Sequence, residues 1–331
     1  MQPLPRFEQV SVRCACVALV VALACASAPT IAPPLQPAGI AADIGFLAST
    51  ALAGRGAGTA GDDSAAVFLA RRLRALGLPG AFPGDCAAGT QCGVSYFQNF
   101  AGDLVNGHNV GAFIRGSDSS LYREFVVVGA HFDHLGTSSR FANDPELLNS
   151  MHPGADDNAS GTAAVLELAR RLAAKPPARS VLVIHFDAEE WGLVGSRAFV
   201  HQPPVPASTI VFMLNLDMVG RLRGRPLGID GSAADSPTIA LADSVARAIG
   251  VPAAHSSASA GRSDHAVFAL IGVPALSLTS GFHSDYHRVT DIASRIDVPG
   301  VTRIVDVAEG IVREAAARKW PAHQMSSAVT K

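Results

Sequence analysis

Phe125-Val126-Val127-Val128-Gly129-Ala130-His131-Phe132-Asp133-His134-Leu135-Gly136 opens on four apolar residues, three of them β-branched, and closes on polar ones. An apolar run this short, rich in β-branched side chains, reads as a strand covered on both faces. Three more runs have the same character: Val181-Leu182-Val183-Ile184, Ile210-Val211-Phe212-Met213-Leu214 and Ala275-Leu276-Ser277-Leu278. Between and after them, apolar residues recur at helical spacing over 159–174, 192–199, 236–249, 264–270 and 301–317, with two earlier amphipathic segments over 39–52 and 63–76. This alternation predicts an α/β fold: a mostly parallel central sheet flanked by helices on both faces.

In open sheets of this kind the reactive groups gather beyond the carboxyl ends of the strands. The first run delivers His131, the second leads into Glu189-Glu190, the third ends at Asp217, and the fourth is followed by His287. A fifth candidate is Asp156, in the loop Gly154-Ala155-Asp156-Asp157-Asn158-Ala159-Ser160-Gly161 that opens a helix. Its neighbour Asp157 reads as the helix cap. Two imidazoles and three carboxylates form a donor set that suits zinc without a thiolate. A single histidine at a strand end is more often a satisfied polar group, so the argument rests on five candidates arriving together. His108, His134 and His185 read as surface or core residues.

The segments His131-Phe132-Asp133, Gly154 to Gly161, Ala188-Glu189-Glu190-Trp191-Gly192, Asn215-Leu216-Asp217-Met218 and Tyr286-His287 followed by Asp291 together resemble metallopeptidase family 28, the zinc aminopeptidases. The resemblance extends over most of residues 40 to 316 and implies a zinc-exopeptidase, phosphorylase/hydrolase-like architecture with two Zn2+ ions per chain. It implies that His131 and Asp217 bind one ion, Glu190 and His287 the other, and that Asp156 bridges them. Glu189 corresponds to the general base and Asp133 to the acid that receives the other ring N–H of His131. His265 and Tyr286 correspond to residues around the substrate, and a cis peptide is expected between Asp156 and Asp157. The implied substrates are peptides with a free N-terminus. Rival readings are a one-zinc glutaminyl cyclase, a carboxypeptidase of the same superfamily, and a receptor-like module that has lost catalysis.

The ends carry their own signals. Arg6 and Arg13 precede an uncharged run from Cys14 to Ala26, followed by small residues and a Pro-rich stretch. Residues 1–28 therefore read as a signal peptide, 29–38 as a linker, 39–320 as one zinc peptidase domain and 321–331 as a flexible tail. Export to the periplasm or beyond follows, with membrane attachment only if Cys25 is lipidated; Ala22 stands where a lipobox usually has Leu. In an exported chain the pair Cys86 and Cys92 reads as a disulfide. A formal net charge of −2, without a basic stripe, argues against nucleic acid as a partner.

Overall fold

The computed structural model describes residues 39–84, 93–138, 140–147, 149–231, 237–255 and 262–320. The expected signal peptide, linker, tail and Cys86–Cys92 disulfide lie outside the described residues. In chain order the elements are α1 (Ile40–Leu47), α2 (Ala60–Ala75), β1 (Phe82–Pro83), β2 (Val94–Ser95), β3 (Phe97–Ala101), β4 (Asn106–Ile114) and β5 (Phe125–His131). They continue with α3 (Gly161–Ala174), β6 (Ser180–Phe186), α4 (Val194–His201), β7 (Ile210–Leu216), β8 (Leu227–Gly231), α5 (Pro237–Ile249), β9 (Ala253–His255), α6 (His265–Leu270), β10 (Ala275–Thr279) and α7 (Val298–Ala317). Strands β1 and β2 form a small antiparallel ribbon, and the other eight form one sheet in the order β3-β4-β6-β5-β7-β10-β8-β9.

The four runs read as strands form the parallel centre of this sheet, β6-β5-β7-β10. Along β5, Val126 and Val128 pack into a core shared with α1, α2, α3 and α7, while Val127 packs into a second core with α4 and α6. Successive side chains of a strand point to opposite faces, so an uninterrupted apolar run is what a strand between two helical layers requires. The edges differ from the centre: β3 with β4, β4 with β6 and β8 with β10 pair antiparallel, while β9 joins β8 in parallel. Among the described residues no helix is long and apolar enough to cross a membrane.

His185, on β6, is buried, and neither ring nitrogen has a hydrogen-bond partner among the described residues. Burial drives its pKa down to about 3. Between that value and the ordinary one near 6.5 the unfolded chain binds a proton that the folded chain refuses, so stability falls as pH drops through this window. The expected slope is up to about 1.4 kcal/mol per pH unit. In urea titrations at pH 7 and pH 5, His185→Phe should lose less stability than the wild type; equal losses would refute the assignment.

Candidate metal centre

His131 ends β5, Asp217 directly follows β7, Glu190 lies in the turn after β6, and His287 lies in the loop beyond β10. These strands are parallel neighbours, so their carboxyl ends open on one side of the sheet. The cavity there holds about 430 Å3, and His131, Asp157, Glu189, Glu190, Asp217 and Tyr286 are on its wall.

Asp157 occupies the centre. Its Oδ1 lies 3.3 Å from His131 Nε2 and its Oδ2 lies 3.1 Å from His287 Nε2. His131 Nε2 is also 3.5 Å from Asp217 Oδ1, and His287 Nε2 is 3.1 Å from Glu190 Oε2. One carboxylate thus faces two clusters, each with its own imidazole and its own second carboxylate.

This corrects the sequence reading by one residue. Asp156, expected as the bridge, turns inward: its Oδ1 accepts from Gly220 N at 2.5 Å and Ser160 Oγ at 2.9 Å, and its Oδ2 lies 3.0 Å from His283 Nε2. Asp157 does not cap the helix. Asn158 Oδ1 accepts from Gly161 N at 2.9 Å and from Met218 N at 3.2 Å, tying the loop to the end of β7. The cis peptide joins Asp157 to Asn158, not Asp156 to Asp157. Asp291 Oδ2 accepts the N–H groups of both Asp156 and Asp157, at 2.8 and 3.1 Å, and Arg221 donates to its other oxygen at 2.8 Å.

Asp133 has a wider role than expected. His131 Nδ1 lies 3.3 Å from the Asp133 carbonyl and 3.6 Å from its carboxylate. That carboxylate also accepts from Glu189 N at 2.9 Å and Glu190 N at 3.3 Å, so one side chain orients the histidine and fixes the turn carrying both glutamates. His134, read as a bystander, is buried with Nδ1 2.9 Å from Glu190 Oε1. Its ring lies so close to Gly154 that a Cβ there would come within 2.5 Å, and Gly154 also has φ +57°, so only glycine serves. Tyr286 stacks on His287 with ring centroids 3.8 Å apart. His265, expected near the substrate, begins α6 as a buried residue whose Nε2 points towards Asp230 on β8, 4.0 Å away, and it is not on the cavity wall.

The electrostatics call for positive charge. Burial alone would lower the His131 imidazolium, yet Glu189, Asp133, Asp157 and Asp217 hold it well above the ordinary histidine value. For His287, burial is likewise outweighed by Asp157 and Glu190, and the value rises to about 11. Glu190 goes the other way: burial and the charge of Asp157 push it up, but His134 and His287 bring it down to about 2. Burial holds Glu189 well above the usual glutamate value, opposed by His131 and reinforced by Glu190 and Asp264. Asp217 Oδ1 is buried without a hydrogen-bond partner among the described residues, an orphaned acceptor aimed at the cluster. His131, Asp157 and Asp217 lie close enough to share a cation, and so do His134, Asp157 and Glu190.

The backbone around the site is strained to match. Ala188, Leu193, Met218 and His287 all have φ between 53° and 63°, a left-handed conformation unusual outside glycine and found at sites where geometry is held by the surroundings. A buried cation holds the frame from beneath. Arg55, fully buried, donates to the carbonyls of Phe132 at 2.8 Å, Leu47 at 2.5 Å, Pro153 at 2.7 Å and Gly154 at 3.0 Å. Burial lowers its pKa to about 10, so it stays charged at neutral pH beneath Asp133 and Asp157. Arg55→Met leaves those carbonyls without a donor and the carboxylates without a counter-charge; a loss of about 3–5 kcal/mol is expected in urea unfolding, and less than about 1 kcal/mol would refute this role.

The model of peptidase family M28 matches residues 109–312. Leupeptin-inactivating enzyme 1 of Streptomyces exfoliatus is 31% identical over 202 residues, covering 60% of this chain and 41% of that protein. Leucine aminopeptidase 1 of Trichophyton equinum is 28% identical over 211 residues, covering 58% of this chain and 55% of its own length. The matches therefore span only about half or less of the relatives' lengths. The crystal structure of BSAP, a zinc aminopeptidase from Bacillus subtilis, superimposes with a TM-score of 0.67 at 18% identity, over 90% of this chain and 100% of that one, a likeness of fold.

Proposed function

This chain belongs to peptidase family M28, and from that premise we propose that it is an exported zinc aminopeptidase that hydrolyses the first peptide bond of peptides with a free N-terminus. The observation that carries this reading is the placement of Asp157 between two imidazole–carboxylate clusters. His131, Asp157 and Asp217 would hold one Zn2+, and Asp157, Glu190 and His287 a second. The residues fit: two imidazoles, three carboxylates and an orphaned buried oxygen on Asp217 form a hard and borderline donor set.

His134 competes with His287 for the second ion. His287 is the better ligand because its Nδ1 donates to the Phe141 carbonyl at 2.8 Å, which leaves the Nε2 lone pair facing both carboxylates. His134 already spends Nδ1 on Glu190 and serves to orient that carboxylate.

When bound, a zinc pair lowers the pKa of water and polarises a carbonyl. The protein supplies the rest. Glu189, on the cavity wall beside His131 and Asp217, takes the proton of the attacking water and returns it to the leaving amine. Asp133 fixes the turn so that Glu189 and its neighbour Glu190 face different tasks. Tyr286 presents its ring to the cavity, where its phenol, kept protonated by burial, donates to the substrate carbonyl.

The reading is tested with aminoacyl-p-nitroanilides and their N-blocked counterparts, before and after chelation and with zinc restored. Cleavage confined to the free-amine substrates, abolished by chelation and recovered with zinc, is expected. Equal cleavage of N-blocked substrates, or release of residues from the C-terminus, would overturn it.

A further inference from the structure

The loop 280–287 takes part in two cavities. Gly281, Phe282 and Tyr286 line that of the metal centre, while His283 and Asp285 line a second, of about 500 Å3, together with Arg221, Arg223, Arg225 and Arg295. Four guanidinium groups in one concavity repel one another unless anions answer them.

The acids in reach are already committed. Asp285 accepts from Arg221 at 3.0 Å and from Thr290 at 2.7 Å and is paired with Arg295. Asp291 takes the other arm of Arg221 at 2.8 Å. Asp297 spends its carboxylate on the backbone N–H groups of Arg223 and Gly300. Four guanidinium groups thus face three carboxylates, and one positive charge remains in excess.

Arg223 and Arg225 are exposed, have no salt bridge to a carboxylate among the described residues, and are each tethered to the backbone. Arg223 Nη2 donates to the Arg295 carbonyl at 2.6 Å; Arg225 Nη2 donates to the carbonyls of Arg221 at 3.0 Å and Ser280 at 2.7 Å. Each guanidinium is tethered by one nitrogen, and its Nε and Nη1 have no acceptor among the described residues. Arg221 is buried, and its Nε likewise has no acceptor. Arg223 is kept at φ +43°, in the left-handed region that non-glycine side chains avoid, beside Gly224 at φ +75°. The turn is thus held in a conformation that brings its arginine to the cavity.

We propose that this second cavity binds a tetrahedral dianion, a phosphate or sulfate group, with Arg223 and Arg225 as its main donors and Arg295 beside them. Planar guanidinium forks tethered at one end offer paired N–H groups at the spacing of two oxygens of such an ion. Neither arginine belongs to the metal centre, so the site can be tested without touching the proposed reaction.

Inorganic sulfate and phenyl phosphate are titrated separately by calorimetry into the zinc-loaded full chain, at an ionic strength held constant with sodium chloride. Saturable binding of one dianion per chain is expected, weakened at least tenfold in R223A/R225A while zinc content stays unchanged. Tighter binding of the ester identifies an esterified group as the natural source, and equal binding a free ion. The pair R223K/R225K keeps the charge and loses the fork, and at least threefold weakening is expected there, which carries the test if the alanine pair does not fold. Wild-type affinity in both pairs, or no saturable binding in the wild type, would overturn the proposal.

Discussion

Asp157→Asn should strip the protein of at least one zinc ion and lower kcat/KM by more than about 10³-fold, whereas Asp156→Asn should retain both ions. The two residues are adjacent and chemically identical, yet only Asp157 directs its two oxygens to different histidines. An amide at that position cannot balance two cations. Asp156 instead holds Gly220 and Ser160, so its loss acts through the loop and is expected to weaken metal affinity by no more than about 10–100-fold. Metal content after gel filtration, measured beside activity, decides the matter. Zinc lost from Asp156→Asn and kept by Asp157→Asn would return the bridge to the position first read from the sequence.

Glu189→Gln should leave zinc content unchanged and reduce kcat by about 10³–10⁴-fold, the contribution of a positioned general base. The amide keeps the size of the side chain and loses only its ability to take a proton. Burial raises the Glu189 carboxyl well above the ordinary glutamate value, and bound cations would draw it back down. Its ionised form must accumulate before it can accept a proton, so the activity of the wild type should fall on the acid side of neutrality. A variant within about tenfold of wild-type kcat would remove Glu189 from this role.

The centre of the fold was legible because β-branched runs such as Val126-Val127-Val128 can be satisfied only between two apolar layers. The edge strands were not. In β4, Gly107 and Gly111 interrupt the apolar pattern, and β8 is a five-residue strand that begins and ends in Leu227-Gly228 and Gly231. His131, Glu189, Glu190, Asp217 and His287 could be singled out because each stands at the end of a readable strand or in the segment after it. The choice between Asp156 and Asp157 was not available at that level: it depends on a backbone turn and on hydrogen bonds to Gly220, Ser160 and Asp291, residues distant in sequence or silent in pattern. His265 was misplaced for a similar reason, since nothing in Arg262-Ser263-Asp264-His265 tells which side of α6 meets β8. Arg55 gave no signal at all, because its partners are carbonyl groups, which every residue possesses.

The arrangement of the sheet also sets the order of the site along the chain. Strand β5, which carries His131, pairs with β6 and β7, both later in the chain, and the loop whose His287 and Asp291 reach Asp157 follows β10, itself paired with β7. In sequence order the innermost strand therefore precedes both of its neighbours, and the loop bearing His287 follows the last of the four central strands. A chain that stops before β10 has Glu189 and four of the five candidate donors, His131, Asp157, Glu190 and Asp217, and lacks only His287. On the proposed reading, the second imidazole–carboxylate cluster is therefore completed by the donor segment most distant in sequence from Asp157.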